Sequence, residues 1–338
     1  MSRPQVVNTD CNFSYETEKR QIESAGGDLV LAQARTEDEI IATCATAKVV
    51  LIEFQDTPIT ARVISALPAL RAVIRYGVGI ESVDQPEATR RGVVVANTAD
   101  FCTEEVSDHA AALLLASARK ICFFDRTIRA GGWQKFKLDP PLRRLSCMTL
   151  GLVGWGRIAQ AVARKMQGFG IRILVTDPFV QSLPAGANAE LVSLDRVLRE
   201  SDLVSLHVPL SGATKHLIGE EQLRAMKPTA FLINTSRGGV VDQAALVRAL
   251  EENRLGGASL DVFEEEPLPA DSPMRTLDKV IATPHYAASS VDSMAHLHRT
   301  VADSIEAILR GFWPPFPVNP AVQPRDPLRP WSEFRRGG

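Results

Sequence analysis

His285, the acidic run Glu264-Glu265-Glu266 and Arg237 are the residue types that a proton-coupled reaction beside a carboxylate requires. Histidine exchanges a proton near neutral pH, and a paired carboxylate orients the ring and favours its charged form. Arginine grips a planar carboxylate through two parallel hydrogen bonds. Taken singly, each has an ordinary reading: a helix-capping arginine, a solvated acidic loop, a polar residue after a strand. Taken together they match hydride transfer at a 2-hydroxy acid, where the hydroxyl loses a proton as hydride leaves carbon. The motifs are INTSRGG (233–239), SLDVFEEEP (259–267) and ATPHY (282–286). Each falls at the end of a strand-like run, where an open α/β sheet places its ligand.

A second signal lies earlier in the chain. Residues 150–159 read LGLVGWGRIA, a strand running into Gly154-x-Gly156-x-x-Ala159 and then a helix. Gly154 permits the tight turn, Gly156 lets backbone approach a pyrophosphate, and Ala159 lets the helix pack closely on the strand. Free N–H groups and the dipole at the helix start then favour phosphate. The next strand ends at Asp177, where a carboxylate binds adenosine ribose hydroxyls and disfavours a 2′-phosphate. The expected cofactor is therefore NAD rather than NADP.

The elements that must hold these motifs alternate. Strand-like runs occupy 48–53, 72–75, 93–96, 150–153, 171–176, 203–207, 230–234 and 280–282, with helix-like segments at 104–118, 158–168, 194–199 and 243–252. Alternation of this kind means an α/β protein with a mostly parallel sheet. The segment 104–120 is strongly apolar in its second half (AALLLASA) and reads as a buried helix. The chain beyond Arg310, rich in Pro, Trp and Arg, reads as an extended arm and then a loose tail.

With 338 residues the chain has room for about two domains. Lys plus Arg number 38 and Asp plus Glu 40, so the net charge of −2 gives no global pull toward nucleic acid or anionic lipid. No run approaches the roughly 18 apolar residues of a membrane helix, and the start shows no signal-peptide core. Five widely spaced cysteines argue against a disulfide framework and a zinc site. No metal is expected, and the setting reads as cytoplasmic.

Six motifs in order, RYGVGIESVD (75–84), GLVGWGRIAQAVA (151–163), HVPLSGATKHLI (207–218), INTSRGGVVD, SLDVFEEEP and TPHYA (283–287), resemble the NAD-dependent D-2-hydroxyacid dehydrogenases, which include D-3-phosphoglycerate dehydrogenase. The resemblance spans residues 48–285. It implies catalytic roles for Arg237, Glu266 (the acid directly before Pro267) and His285. It implies cofactor contacts at Gly154, Gly156, Arg157, Ile158, Asp177, His207, Thr235, Ser236, Arg237, Asp261 and His285, with Asp261 on the nicotinamide carboxamide. Val78 and Gly79 match a loop whose N–H groups receive the substrate carboxylate, with Arg75 and Arg237 as further substrate contacts.

The resemblance also implies two Rossmann-like domains: a discontinuous substrate domain (1–99 with 289–338) and an inserted NAD-binding domain (100–288). It implies a small 2-keto or 2-hydroxy acid as substrate and a homodimer joined through the NAD-binding domain, with 130–144, including Trp133, as an arm. Within the family, Arg75 and the TEEVSD run (103–108) are similar to the C-terminal-binding-protein group. An NAD-sensing corepressor with little turnover is accordingly the alternative function. Ala288 stands where that group carries a bulky aromatic, and Ala159 where the third glycine falls.

Overall fold

The computed structural model describes residues 3–54, 56–133, 138 and 141–334. The chain divides into two compact units: the stretches up to Phe101 and from Ser290 onward form the first, and Cys102–Ser289 the second.

In the first unit the strands are β1 (Gln5–Asn8), β2 (Asp28–Leu31), β3 (Ala47–Ile52), β4 (Ala72–Arg75) and β5 (Val94–Ala96). They form a parallel sheet in the order β2-β1-β3-β4-β5. Parallel strands are covered on both faces, so β3 and β4 are apolar almost throughout, and Val50, Ile52, Val63 and Val73 share one core. Helix Glu16–Ser24 packs against helix Val291–Leu309, which returns the C-terminal part of the chain to this unit.

The segment after Arg310 begins as the expected extended arm, laid along β5. Val318 N–H donates to the Val95 carbonyl at 2.8 Å, and Asn97 N–H to that of Phe316 at 3.2 Å. Asn319 accepts from Val95 N–H at 2.8 Å and donates to the Val93 carbonyl at 3.0 Å. An edge strand exposes unpaired amide groups, and this segment satisfies them. Further on the chain departs from the expected loose tail: Arg325 N–H donates to the Gly92 carbonyl at 3.2 Å, Arg329 lies over the Phe312 ring, and Trp331 stacks on Phe334.

The second unit contains β6 (Thr149–Val153), β7 (Arg172–Thr176), β8 (Glu190–Leu191), β9 (Leu203–Leu206), β10 (Phe231–Asn234), β11 (Gly257–Leu260) and β12 (Val280–Ala282). All pair in parallel, in the order β12-β11-β10-β9-β6-β7-β8. The strand order reverses between β6 and β9, the switch point where doubly wound sheets open a crevice for dinucleotides. One face of the sheet is packed by Leu198, Leu246 and Leu250, among others. The other is packed by helices Thr103–Ala118 and Arg157–Gln167 through Ala110, Leu114, Val162 and Met166. Among the described residues no helix is long and apolar enough to cross a membrane.

Candidate active site

At the switch point Gly154 has φ +96, and a Cβ there would lie 2.5 Å from the His207 carbonyl oxygen at the end of β9. Only glycine lets β6 turn this close to its neighbour. A Cβ on Gly156 would meet nothing within 4 Å, so open space lies above the start of helix Arg157–Gln167. Arg157 and Ile158 occupy the helix's first turn, where N–H groups face outward. Asp177 follows β7 and accepts from Trp155 N–H at 2.8 Å and Phe179 N–H at 2.9 Å, which ties the acid to the glycine turn.

Two further atoms face the need for a ligand. Thr235 Oγ1 and Trp155 Nε1 are buried without a hydrogen-bond partner among the described residues. Buried polar atoms of this kind are costly unless something arrives to satisfy them. His207 lies 2.9 Å from Ser205 Oγ, and removal from water pushes its imidazole down to about 4. An open glycine cradle, an acid at the end of the second strand and unsatisfied donors and acceptors along the strand ends fit a dinucleotide.

The loop after β10 is shaped by Asn234, which accepts from Ser236 N–H and Oγ at 3.0 and 2.7 Å and donates to the Arg237 carbonyl at 2.9 Å. A Cβ on Gly238 would sit 1.9 Å from the Phe263 carbonyl, so only glycine lets this loop press against the backbone that leads to the acids. The three acids then separate. Glu264 pairs with His216 at 2.5 Å. Glu266 accepts from Phe263 N–H at 2.8 Å through Oε1, and its Oε2 lies 2.6 Å from His285 Nδ1. Burial raises the Glu266 carboxyl, but the hydrogen bonds to His285 and Phe263 and the charges of His285 and Arg237 outweigh it, holding the group below the ordinary carboxylate range. The structure therefore gathers Arg237, Glu266 and His285 at the carboxyl ends of β10, β11 and β12, with His285 Nε2 as the ring nitrogen turned away from the acid.

Asp261 is buried directly after β11. Its backbone carbonyl accepts from His285 N–H, and its carboxylate from Tyr286 and Ala287 N–H. It thus holds the turn that carries His285, a role its position in the sequence did not disclose.

In the first unit, the loop after β4 is held by residues just beyond β5. Asn97 Nδ2 donates to the Val78 carbonyl at 2.7 Å, and Gly77 N–H to Thr98 Oγ1 at 2.9 Å. The N–H groups of Val78 and Gly79 donate to no acceptor among the described residues, and Val78 is exposed. Arg75 is only 5% exposed, with its guanidinium donating to the Tyr76 carbonyl. Sequence reasoning missed Asn97 and Thr98; no periodicity marks a residue whose task is set by a neighbouring strand. Of the expected arm, Trp133 is exposed, while 134–137, 139 and 140 lie outside the described residues.

Comparison with known proteins adds the following. Residues 111–287, over half of the chain, match the model of the D-isomer specific 2-hydroxyacid dehydrogenase NAD-binding domain. A glyoxylate reductase of Korarchaeum cryptofilum is 46% identical over 276 residues, covering 80% of this chain and 83% of that one. The crystal structure of a glyoxylate reductase from Paecilomyes thermophila superposes with a TM-score of 0.85 at 25% identity, covering 94% of this chain and 99% of the other. D-lactate dehydrogenase of Aquifex aeolicus, solved with NAD and lactic acid, superposes at 0.79 with 27% identity over 90% and 96% of the two chains. With its switch-point cradle and this match over most of its length, the chain belongs to the D-isomer specific 2-hydroxyacid dehydrogenases and is an NAD-dependent enzyme of that family.

Proposed function

We propose that the enzyme reduces a small, unphosphorylated 2-keto acid of the glyoxylate kind to the D-2-hydroxy acid, with Arg237, Glu266 and His285 carrying the reaction. The observation that carries this reading is the 2.6 Å contact between Glu266 and His285, within reach of the Arg237 charge. Bound NADH supplies the hydride that reaches C2. His285 Nε2 gives its proton to the carbonyl oxygen, so that C=O becomes CH–OH. Glu266 stabilises the imidazolium before the transfer and keeps the remaining proton on Nδ1 after it. Arg237 grips the substrate carboxylate and polarises the carbonyl. The open N–H groups of Val78 and Gly79 suit a carboxylate.

The inward-turned Arg75 guanidinium supports a substrate without a phosphate, as do relatives named glyoxylate reductase. An acid at the end of the second strand, Asp177 beside the glycine turn, supports NADH over NADPH. Five free cysteines suit a reducing, cytoplasmic setting. A homodimer joined through the NAD-binding domain completes the reading, and light scattering on the purified protein tests it. No observation favours the corepressor alternative over a chain with a complete acid–base pair.

The deciding experiment follows NADH absorbance with glyoxylate, hydroxypyruvate, pyruvate, 3-phosphohydroxypyruvate and a longer apolar 2-keto acid, with NADPH in parallel. Glyoxylate or hydroxypyruvate with NADH should be fastest. A preference for 3-phosphohydroxypyruvate would overturn the substrate class, and a preference for NADPH the role of Asp177. Tight NADH binding with no turnover on any acid would shift the protein to the binding-module reading.

A further inference from the structure

We propose that His109 and Thr283 are positioning residues for His285, acting through the Asp261 carboxylate; the inference rests on the acid–base reading of His285 above. The backbone at His285 is left-handed, φ 54, a conformation that non-glycine residues hold only where the surroundings over-determine it. Asp261 supplies that determination. Its carbonyl accepts from His285 N–H at 2.7 Å, Oδ1 from Tyr286 N–H at 3.0 Å and Oδ2 from Ala287 N–H at 3.0 Å. One residue thus receives three consecutive amides of the turn.

The Asp261 side chain is 1% exposed, so its orientation depends on protein donors and not on water. Thr283 Oγ1 donates to Oδ1 at 2.6 Å. The carboxylate cannot return that bond, so the hydroxyl's lone pairs are left for another donor. His109 Nε2 lies 3.0 Å from the same hydroxyl and 3.6 Å from Oδ1, and therefore carries the proton on Nε2. The chain has one direction: His109 donates to Thr283, Thr283 to Asp261, and Asp261 collects the amides that flank His285.

His109 is itself anchored. It projects from helix Thr103–Ala118, whose Ala110, Leu113 and Leu114 are buried in the core of the second unit. Ser117 Oγ on that helix lies 2.7 Å from Ser259 Oγ on β11, two residues before Asp261. The helix and the acid are therefore fixed to one strand. Removing the Thr283 hydroxyl strips Oδ1 of a donor and His109 of its acceptor. The carboxylate is then free to turn, and the left-handed corner loses its alignment. Proton transfer tolerates little misplacement: an error of about 1 Å can cost roughly a hundredfold.

The test is Thr283→Val, nearly isosteric and lacking the hydroxyl, assayed with NADH and glyoxylate or the best acid of the panel. The expected result is a kcat lower by about tenfold, short of the full misplacement cost. KM for the keto acid should stay within about twofold, and the primary isotope effect from NADH deuterated at C4 should rise. Thr283→Ser, which restores the hydroxyl, should recover kcat. His109→Phe should repeat the loss in smaller measure, and it carries the test if Thr283→Val does not fold. Wild-type kcat and isotope effect in Thr283→Val, with His285→Gln inactive, would overturn the proposal and leave the acid–base reading standing. A parallel loss of kcat and thermal stability that serine does not rescue would also overturn it, as a merely structural defect. Full turnover in His285→Gln would instead bring down the acid–base reading and this proposal with it.

Discussion

The corner that carries His285 and the loop at Gly77-Val78-Gly79 occupy equivalent places in their own sheets, beyond the carboxyl ends of parallel strands, yet they are held by different means. The His285 corner is fixed by charged groups: the Asp261 carboxylate takes its amides, and Glu266 takes the ring. The glycine loop is fixed by neutral ones, the Asn97 amide and the Thr98 hydroxyl. A proton-transferring ring must be oriented and its charged form stabilised, which a carboxylate does. A receptor for an anion must keep its N–H donors open, and a carboxylate there would compete with the ligand. Neutral partners placed on the loop's carbonyl and its first N–H leave the donors of Val78 and Gly79 free of protein acceptors among the described residues.

Removing the oriented ring breaks the comparison at its stronger end. His285→Gln should lower kcat by roughly a thousandfold, the middle of the range for general acid–base catalysis. NADH should still bind, as followed by fluorescence titration, because the glycine cradle and Asp177 do not depend on the ring. Turnover within tenfold of wild type would mean that the proton comes from elsewhere. Loosening the neutral end should do something different in kind. Asn97→Ala removes one hydrogen bond from the loop, so KM for the keto acid should rise roughly fivefold, the equivalent of about 1 kcal/mol. The kcat should stay within about twofold. A fall in kcat without a change in KM would place the loop in the chemistry and erase the distinction drawn above.

Much of this arrangement is legible in the sequence where a residue's type alone constrains it. The glycine turn at 154–159 and the acid ending β7 announce the cradle because few other residues fit there. Strands such as β3 and β4 stand out because parallel strands are apolar on both faces. By contrast β1 and β2 are four residues long, β2 is only half-buried, and β11 reads Gly-Ala-Ser-Leu, so their strand character comes from their neighbours. The tail beyond the arm looked loose because its partners, such as the Gly92 carbonyl that accepts from Arg325 N–H, lie more than two hundred residues away in sequence. The site divides in the same way. Arg237 and His285 stand in recognisable motifs. The left-handed backbone at His285 and the dependence of its turn on Asp261, Thr283 and His109 exist only once β11, β12 and a buried helix lie side by side.

The smallest expected effect turns the comparison into one of pH. The second unit holds Glu266 with its carboxyl below the ordinary value near 4.5. Its contribution to stability is therefore complete above that value and is lost as pH falls through the lower folded value. The first unit holds the opposite case. His298 on helix Val291–Leu309 lies 2.6 Å from the fully buried Glu18, which also accepts from Tyr76 O–H at 3.0 Å, one residue before the glycine loop. The hydrogen bond to Glu18 raises the His298 imidazole above its ordinary 6.5 against the cost of burial, with the charges of Glu18 and Glu53 adding to the rise. That contribution is complete below pH 6.5 and is lost as pH rises through the folded value. Hydrogen exchange separates the units as a melting curve does not, since two units need not unfold together. Between pH 6 and 9, after correction for intrinsic exchange, protection should decline in β4 more than in β11, and His298→Gln should remove the difference. Between pH 5 and 3 the protection of β11 should decline, and Glu266→Gln should reduce that decline. Equal responses of β4 and β11 between pH 6 and 9, with a decline of β11 at low pH that Glu266→Gln leaves unchanged, would show that neither pair stabilises its own unit.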